Sequence, residues 1–144
     1  MRDLRETCVA QRFALNLVSF IDAFLALELM ENGQHELALQ HWRTLTDEMI
    51  DHGNFANVDI PLMLATEALI SRGEFDEADR LIEKFDVTTM DRGWRSREVS
   101  VLRLRTLVAQ ARGDDAYGEL RDRYRAMADG LGFEGHMAWA AEMT

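Results

Sequence analysis

The 144-residue sequence is poor in cysteine, in proline and in basic side chains. The single cysteine, Cys8, cannot form an internal disulfide, which indicates a reducing compartment. One proline and nine glycines do not favour long disordered tracts. The 16 basic and 26 acidic residues give a net charge of −10. This charge argues against nucleic acid and against an anionic membrane surface as partners, because both need a basic face.

The sequence also has no hydrophobic run long enough to cross a membrane. Its most apolar stretch, residues 13–30, is interrupted by Asn16, Asp22 and Glu28, whereas a spanning helix needs about 20 mostly apolar residues. This stretch therefore predicts a buried helix. With 47% hydrophobic residues, 29% charged residues and no signal segment, we expect a globular cytoplasmic protein.

Motifs that carry chemistry are missing as well. The sequence has no glycine-rich phosphate-binding loop and no Gly-x-Ser-x-Gly motif. His35 and His41 do not share a helix face, and no pair of histidines has the spacing of a zinc motif. We therefore expect no cofactor, no metal site and no enzymatic activity in this chain.

Glycines, in contrast, recur at a regular interval, and each follows a stretch long enough for a helix of about four or five turns. An arginine precedes three of them, which suits the negative end of a helix dipole, and glycine readily adopts the left-handed conformation that ends a helix. A fixed period of this size is typical of stacked helical hairpins. The glycines 40 residues apart are Gly33, Gly73 and Gly113, and those interleaved at spacings of 40 and 39 are Gly53, Gly93 and Gly132.

Apolar residues between the glycines recur at intervals of three and four, which predicts an all-α fold. The N-terminal helix is expected to run to about Met30, from as early as Asp3, because no glycine or proline interrupts it. Pro61 falls in the first turn of a later helix, where its missing N–H costs nothing. The other predicted helices cover about 34–52, 58–72, 75–91, 94–112, 115–131 and 133–143.

The segment Gly-Glu-Phe-Asp-Glu-Ala at residues 73–78 resembles the turn and second-helix start of a tetratricopeptide repeat. Looser copies follow Gly33 and Gly113. Short side chains stand where the two helices of a hairpin must cross closely. The repeat is longer than the family's period of about 34 residues, and it lacks the family's proline at the end of the second helix. The short residues are Ala26, Thr66 and Thr106 before the turns and Ala38, Ala78 and Gly118 after them.

The resemblance implies a single domain, residues 1–144, built as a right-handed stack of about three extended hairpins. Repeats lengthened to ~40 residues are similar to those in the C-terminal regions of bacterial LuxR-type activators and class III adenylate or guanylate cyclases. The ending at residues 131–140 resembles actinobacterial members of the cyclase-linked group. It implies a non-catalytic interaction or regulatory module within a larger signalling protein, whose catalytic part lies outside this chain. The repeats are expected at about 13–52, 53–92 and 93–132, with a cap at 133–144.

In tetratricopeptide arrays the first helix of each hairpin lines a concave face, so the resemblance implies a binding groove. Its occupant is expected to be a protein or peptide, or another domain of the same parent, and a small-ligand or peptide sensor is the alternative. Permanent covering of the groove by another domain or subunit stays open, as does a homodimer through the N-terminal helix. The implied lining residues are Phe20, Ala23, Leu27, Met30, Ile60, Met63, Glu67, Ile70, Arg103, Leu107 and Gln110.

Arginines are concentrated in the helix predicted at 94–112. Clusters of arginine recognise carboxylates and phosphates well, which suggests an acidic partner. The interpretation we favour is pairing with acids on neighbouring helices, such as Asp76, Glu77 and Asp79, or Asp114 and Asp115.

Overall fold

The structure is a computed structural model that describes residues 2–10, 18–52, 59–90 and 95–144. Every regular element in these ranges is an α-helix, which confirms the predicted all-α class. From α3 onwards the helices begin and end close to their predicted limits. Gly53 and Gly93 lie outside the described residues. The helices are α1 (Arg2–Ala10), α2 (Val18–Glu31), α3 (His35–His52), α4 (Asp59–Ser71), α5 (Phe75–Met90), α6 (Arg95–Arg112), α7 (Tyr117–Leu131) and α8 (Glu134–Glu142).

The N-terminal region is not one continuous helix. Helix α1 packs against α2, and the guanidinium of Arg5 donates a hydrogen bond to the carboxylate of Asp22. In a continuous helix, residues with this sequence separation of 17 would be about 25 Å apart. The expectation of a single helix from Asp3 was therefore wrong, since α1 and α2 are separate helices that pack against each other.

The described members of the periodic glycine set end their helices in the left-handed conformation. Behind each glycine the same two backbone hydrogen bonds recur. In the second hairpin, for example, the N–H of Gly73 donates to the carbonyl of Ile70, and the N–H of Glu74 donates to that of Leu69, both at 3.0 Å. These bonds satisfy carbonyls that a helix end leaves without partners. The glycines, with φ of 67–76°, are Gly33, Gly73, Gly113 and Gly132.

Five of the six short residues predicted at the hairpin crossings are buried, and the sixth, Gly118, is half-buried. Ala26 on α2 and Ala38 on α3 are fully inaccessible, and these two helices pack against each other. Ala78 on α5 and the two threonines of the set, Thr66 and Thr106, are equally inaccessible. The Thr106 hydroxyl donates to the carbonyl of Leu102 at 2.7 Å, so its buried oxygen is satisfied. Short residues at these positions allow the close helix approach that the sequence predicted.

The chain divides into two compact units, residues 1–65 and 66–144. In the first unit α2 packs on α3, and α1 packs on α2. The indole of Trp42 is completely buried in this unit, together with Ile21, Leu39 and Leu45. Burial of a large apolar side chain contributes about 1.5–3 kcal/mol, so these four residues hold α2 and α3 in place.

In the second unit α6 packs against both α5 and α7, and α7 packs against α8. The C-terminal helix is part of the core, since Ala140 and the neighbouring Met143 are buried with residues of α6 and α7. The core cluster consists of Val99, Leu102, Tyr124, Ala128, Ala140 and Met143.

Replacing glycine with alanine should change the free energy of unfolding in opposite directions at the left-handed glycines and at the glycines inside helices. An added methyl group meets nothing within 4 Å at Gly73 or at Gly130, so only the backbone conformation distinguishes the two sites. We expect Gly73→Ala to lower the free energy of unfolding by about 1 kcal/mol, because alanine is strained at positive φ. Gly130→Ala, inside α7, should raise it by about 0.5–1 kcal/mol. Urea unfolding followed by far-UV circular dichroism measures both, and effects of the same sign would contradict this account.

Candidate functional site

A groove of about 980 Å³ lies among α1, α2 and α3 in the first unit, and we call it the N-terminal groove. Its volume is in the range of pockets that accept a drug-sized ligand or a short peptide segment. Its lining combines four leucines with carboxylates, amides and a hydroxyl. The leucines are Leu25, Leu29, Leu37 and Leu45.

Helix α2 presents one face to this groove. Asp22, Leu25 and Leu29 line it and are spaced by three and four residues, which places them on one side of a helix. At about 100° per residue, the predicted lining positions of α2 fall on the opposite side. Of those positions, Ala23 and Met30 are buried, and Phe20 and Leu27 are half-buried.

The charges of the N-terminal groove are mostly negative. Arg5 on α1 is paired with Asp22 on α2, whose side chain is only 14% exposed. In the described part of the chain, the exposed carboxylates of Asp3, Glu6 and Glu28 form no ion pair. The groove therefore has an unneutralised acidic rim beside its leucines.

In the second unit the structure joins two of the predicted groove residues directly. Nη1 of Arg103 on α6 donates to Oε1 of Glu67 on α4 at 2.5 Å. The guanidinium carbon of Arg103 also lies 4.3 Å from the centre of the Trp139 ring on α8. Arg103 is 8% exposed, so the pair lies inside the unit. Because burying a charge is unfavourable unless it is compensated, both contacts are needed to keep Arg103 there.

The other predicted groove residues are distributed over both units. Met63 and Ile70 on α4 are half-buried, and Gln110 is exposed. Leu107 packs against the core cluster of the second unit. The side chain of Ile60 lies outside the described residues.

Next to Arg103 and Trp139 lies a tyrosine–histidine pair, Tyr124 and His136, that the sequence analysis did not identify. Tyr124 Oη lies 2.9 Å from His136 Nδ1 and donates to the His136 carbonyl oxygen at 3.1 Å. Burial raises the pKa of Tyr124 to about 12, with smaller opposing effects of Arg103 and Glu67. Burial, and then Arg103, lower the pKa of His136 below 6.5. Both groups are therefore uncharged at neutral pH, and they hold α8 against α7.

Helix α8 and the residue before it carry large apolar side chains that remain in contact with solvent. Phe133 is 37% exposed, and Met137 and Trp139 are each 39% exposed. The rings of Phe133 and Trp139 lie 6.2 and 5.1 Å from the His136 ring, so these three rings lie next to one another, and Met137 follows on the same short helix. We call Phe133, Met137 and Trp139 the α8 aromatic face. Large apolar side chains that stay partly in water and lie close together along the chain are a feature of interaction sites.

Three arginines of α6 pair with acids of other helices. Arg105 binds Asp86 at 2.6 Å, and Arg112 binds Asp79 at 2.6 Å and Asp76 at 3.3 Å. Pairing with neighbouring acids, the interpretation favoured from the sequence, is therefore confirmed for these two arginines, and Arg103 pairs with Glu67 in the same way. These arginines are not left available for an acidic partner.

The buried and exposed arginine pairs should differ in their contribution to stability. Arg103→Met leaves the Glu67 carboxylate without its partner and removes the contact with Trp139, so we expect the free energy of unfolding to fall by about 2 kcal/mol. Arg105→Met breaks a more exposed pair on the same helix and should lower it by at most about 1 kcal/mol. Urea unfolding measures both variants, and an equal loss would show that burial of Arg103 contributes nothing extra.

The His136 pair predicts a pH dependence of stability. Because the folded-state pKa of His136 lies below its ordinary value, the unfolded chain takes up the proton first as the pH falls. The free energy of unfolding should therefore decrease below about pH 6.5 and level off above it. His136→Asn, which keeps a polar group near Tyr124, should reduce this slope. Urea unfolding between about pH 7 and 5.5 compares the two proteins, and identical slopes would rule out His136 as the source.

Comparison with protein-family models, with curated proteins and with solved structures finds no match for this chain. Within the described ranges, no group of three histidine, cysteine, aspartate or glutamate side chains is placed to hold a metal ion. No helix among the described residues is long and apolar enough to span a membrane.

Proposed function

We propose that this chain is a non-catalytic interaction or regulatory module. Its helices display a surface to another protein, or to another domain of the same polypeptide. The α8 aromatic face is the observation that carries the proposal, because three large apolar side chains are left partly in water on one short helix and its first flanking residue. Aromatic residues and methionine are enriched at protein interfaces, where their burial provides much of the binding energy.

The finer architecture that we propose is a right-handed stack of tetratricopeptide-like hairpins. It is supported by the left-handed glycines Gly33, Gly73 and Gly113 and by the fully buried residues at 26, 66 and 106, since both sets recur every 40 residues. Units built alike can stack on each other and bury a continuous core. The resemblance to the repeat regions of bacterial cyclase-linked and LuxR-type regulators favours a place within a larger cytoplasmic signalling protein.

The titratable groups of the second unit support contact rather than catalysis. A general acid or base works best with a pKa near the operating pH and within reach of its substrate. Tyr124 is fully buried, with a pKa of about 12, and its hydroxyl is occupied by His136. This arrangement suits a structural role in holding α8.

A second candidate function is a small-ligand or peptide sensor. The N-terminal groove favours it, because about 980 Å³ of space is lined by leucines together with converging polar groups. Ligand sites commonly combine an apolar lining with a few polar groups that orient the ligand.

Photo-crosslinking in cells tests the interaction module. A photoreactive phenylalanine analogue is placed at Phe133 or Met137, and at the exposed Arg123 of α7 as the control, within the natural polypeptide. We expect cross-links from the α8 aromatic face to one discrete protein, or to another part of the same polypeptide, and none from position 123. The same pattern from all three positions, or none from any, would contradict the proposal.

A further inference from the structure

We propose that the N-terminal groove binds a short basic peptide segment in which leucine-type side chains alternate with lysine or arginine. This inference rests on the proposed function, because it gives an interaction module one class of partner. It concerns a different surface from the α8 aromatic face.

The apolar part of the groove requires apolar side chains in its occupant. Leu37, in the first turn of α3, is 45% exposed, and it lines the groove. Leu25 and Leu29 are half-buried beside it on α2. An occupant that covers these side chains removes apolar surface from water, which a fully hydrophilic ligand cannot do.

The unpaired carboxylates of the groove favour a positively charged occupant. The Arg5–Asp22 pair is neutral as a unit, which leaves the carboxylates of Asp3, Glu6 and Glu28 unneutralised within the described part of the chain. These acids come from two helices, with Asp3 and Glu6 on α1 and Glu28 on α2. The net charge of −10 on the whole chain adds attraction at longer range. A basic segment therefore matches the groove, and an acidic one is repelled.

The remaining polar groups suit a peptide backbone. The side-chain amides of Asn32, Gln34 and Gln40 line the groove, and none of them makes a hydrogen bond to another described residue. Each amide can both donate and accept, as the N–H and C=O groups of a peptide require. The leucines, amides and carboxylates of the lining come from α1, α2, α3 and the turn between α2 and α3. This lining covers a larger area than a single small ammonium ion would contact.

Fluorescence anisotropy with a labelled leucine–lysine peptide tests the inference on the whole chain. Three competitors or controls separate the sources of binding: the same peptide with glutamate for lysine, the polyamine spermidine, and the protein variant Glu119→Gln, whose exposed side chain on α7 is outside the groove. The groove variants are Glu28→Gln and Leu37→Gln, both at exposed positions, so the fold is preserved.

We expect the leucine–lysine peptide to bind and the glutamate version to fail. Each groove variant should weaken binding by about two- to fivefold, while Glu119→Gln leaves it unchanged. Absence of peptide binding would overturn the inference, and so would equal effects of Glu119→Gln and Glu28→Gln. Full competition by spermidine together with no effect of Leu37→Gln would assign the groove to a polyamine instead. None of these failures affects cross-links from the α8 aromatic face, so failure of this inference can be told apart from failure of the proposed function.

Discussion

Close contact between paired helices is the constraint on which this structure depends. Two helices approach closely only if the side chains at their crossing are short, and the fully buried Ala26 and Ala38 meet this condition where α2 packs on α3. The chain must then turn within very few residues, which the left-handed glycines make feasible. Larger side chains such as Trp42 are buried in the same unit and fill its core. Both compact units are built from these same components.

Much of the fold was predictable from the sequence because its signals are local. A glycine at positive φ ends a helix by its own conformation, so Gly33, Gly73 and Gly113 mark three helix ends without any knowledge of tertiary contacts. The packing of α1 against α2 has no such local signal. This packing and the Arg5–Asp22 pair are long-range effects that spacing along the chain cannot reveal.

The sites were less predictable, for the same reason. Asp76, Glu77 and Asp79 were suggested as partners of the arginines because they lie on a neighbouring helix, and two of them, Asp76 and Asp79, bind Arg112. Glu67 and Trp139 are brought to Arg103 from α4 and α8, far away in sequence. The N-terminal groove needs α1 folded back beside α2 and α3, so no motif in the sequence could mark it.

The turns of the hairpins have a consequence for how such a chain can evolve. Each is closed by main-chain hydrogen bonds, and no neighbouring atom constrains a side chain at its glycine. Because these main-chain hydrogen bonds do not depend on side-chain identity, the residues beside each glycine can change while the turn geometry is retained. Hairpins of this kind can therefore lose most of their sequence identity to one another and still keep the spacing of their turn glycines.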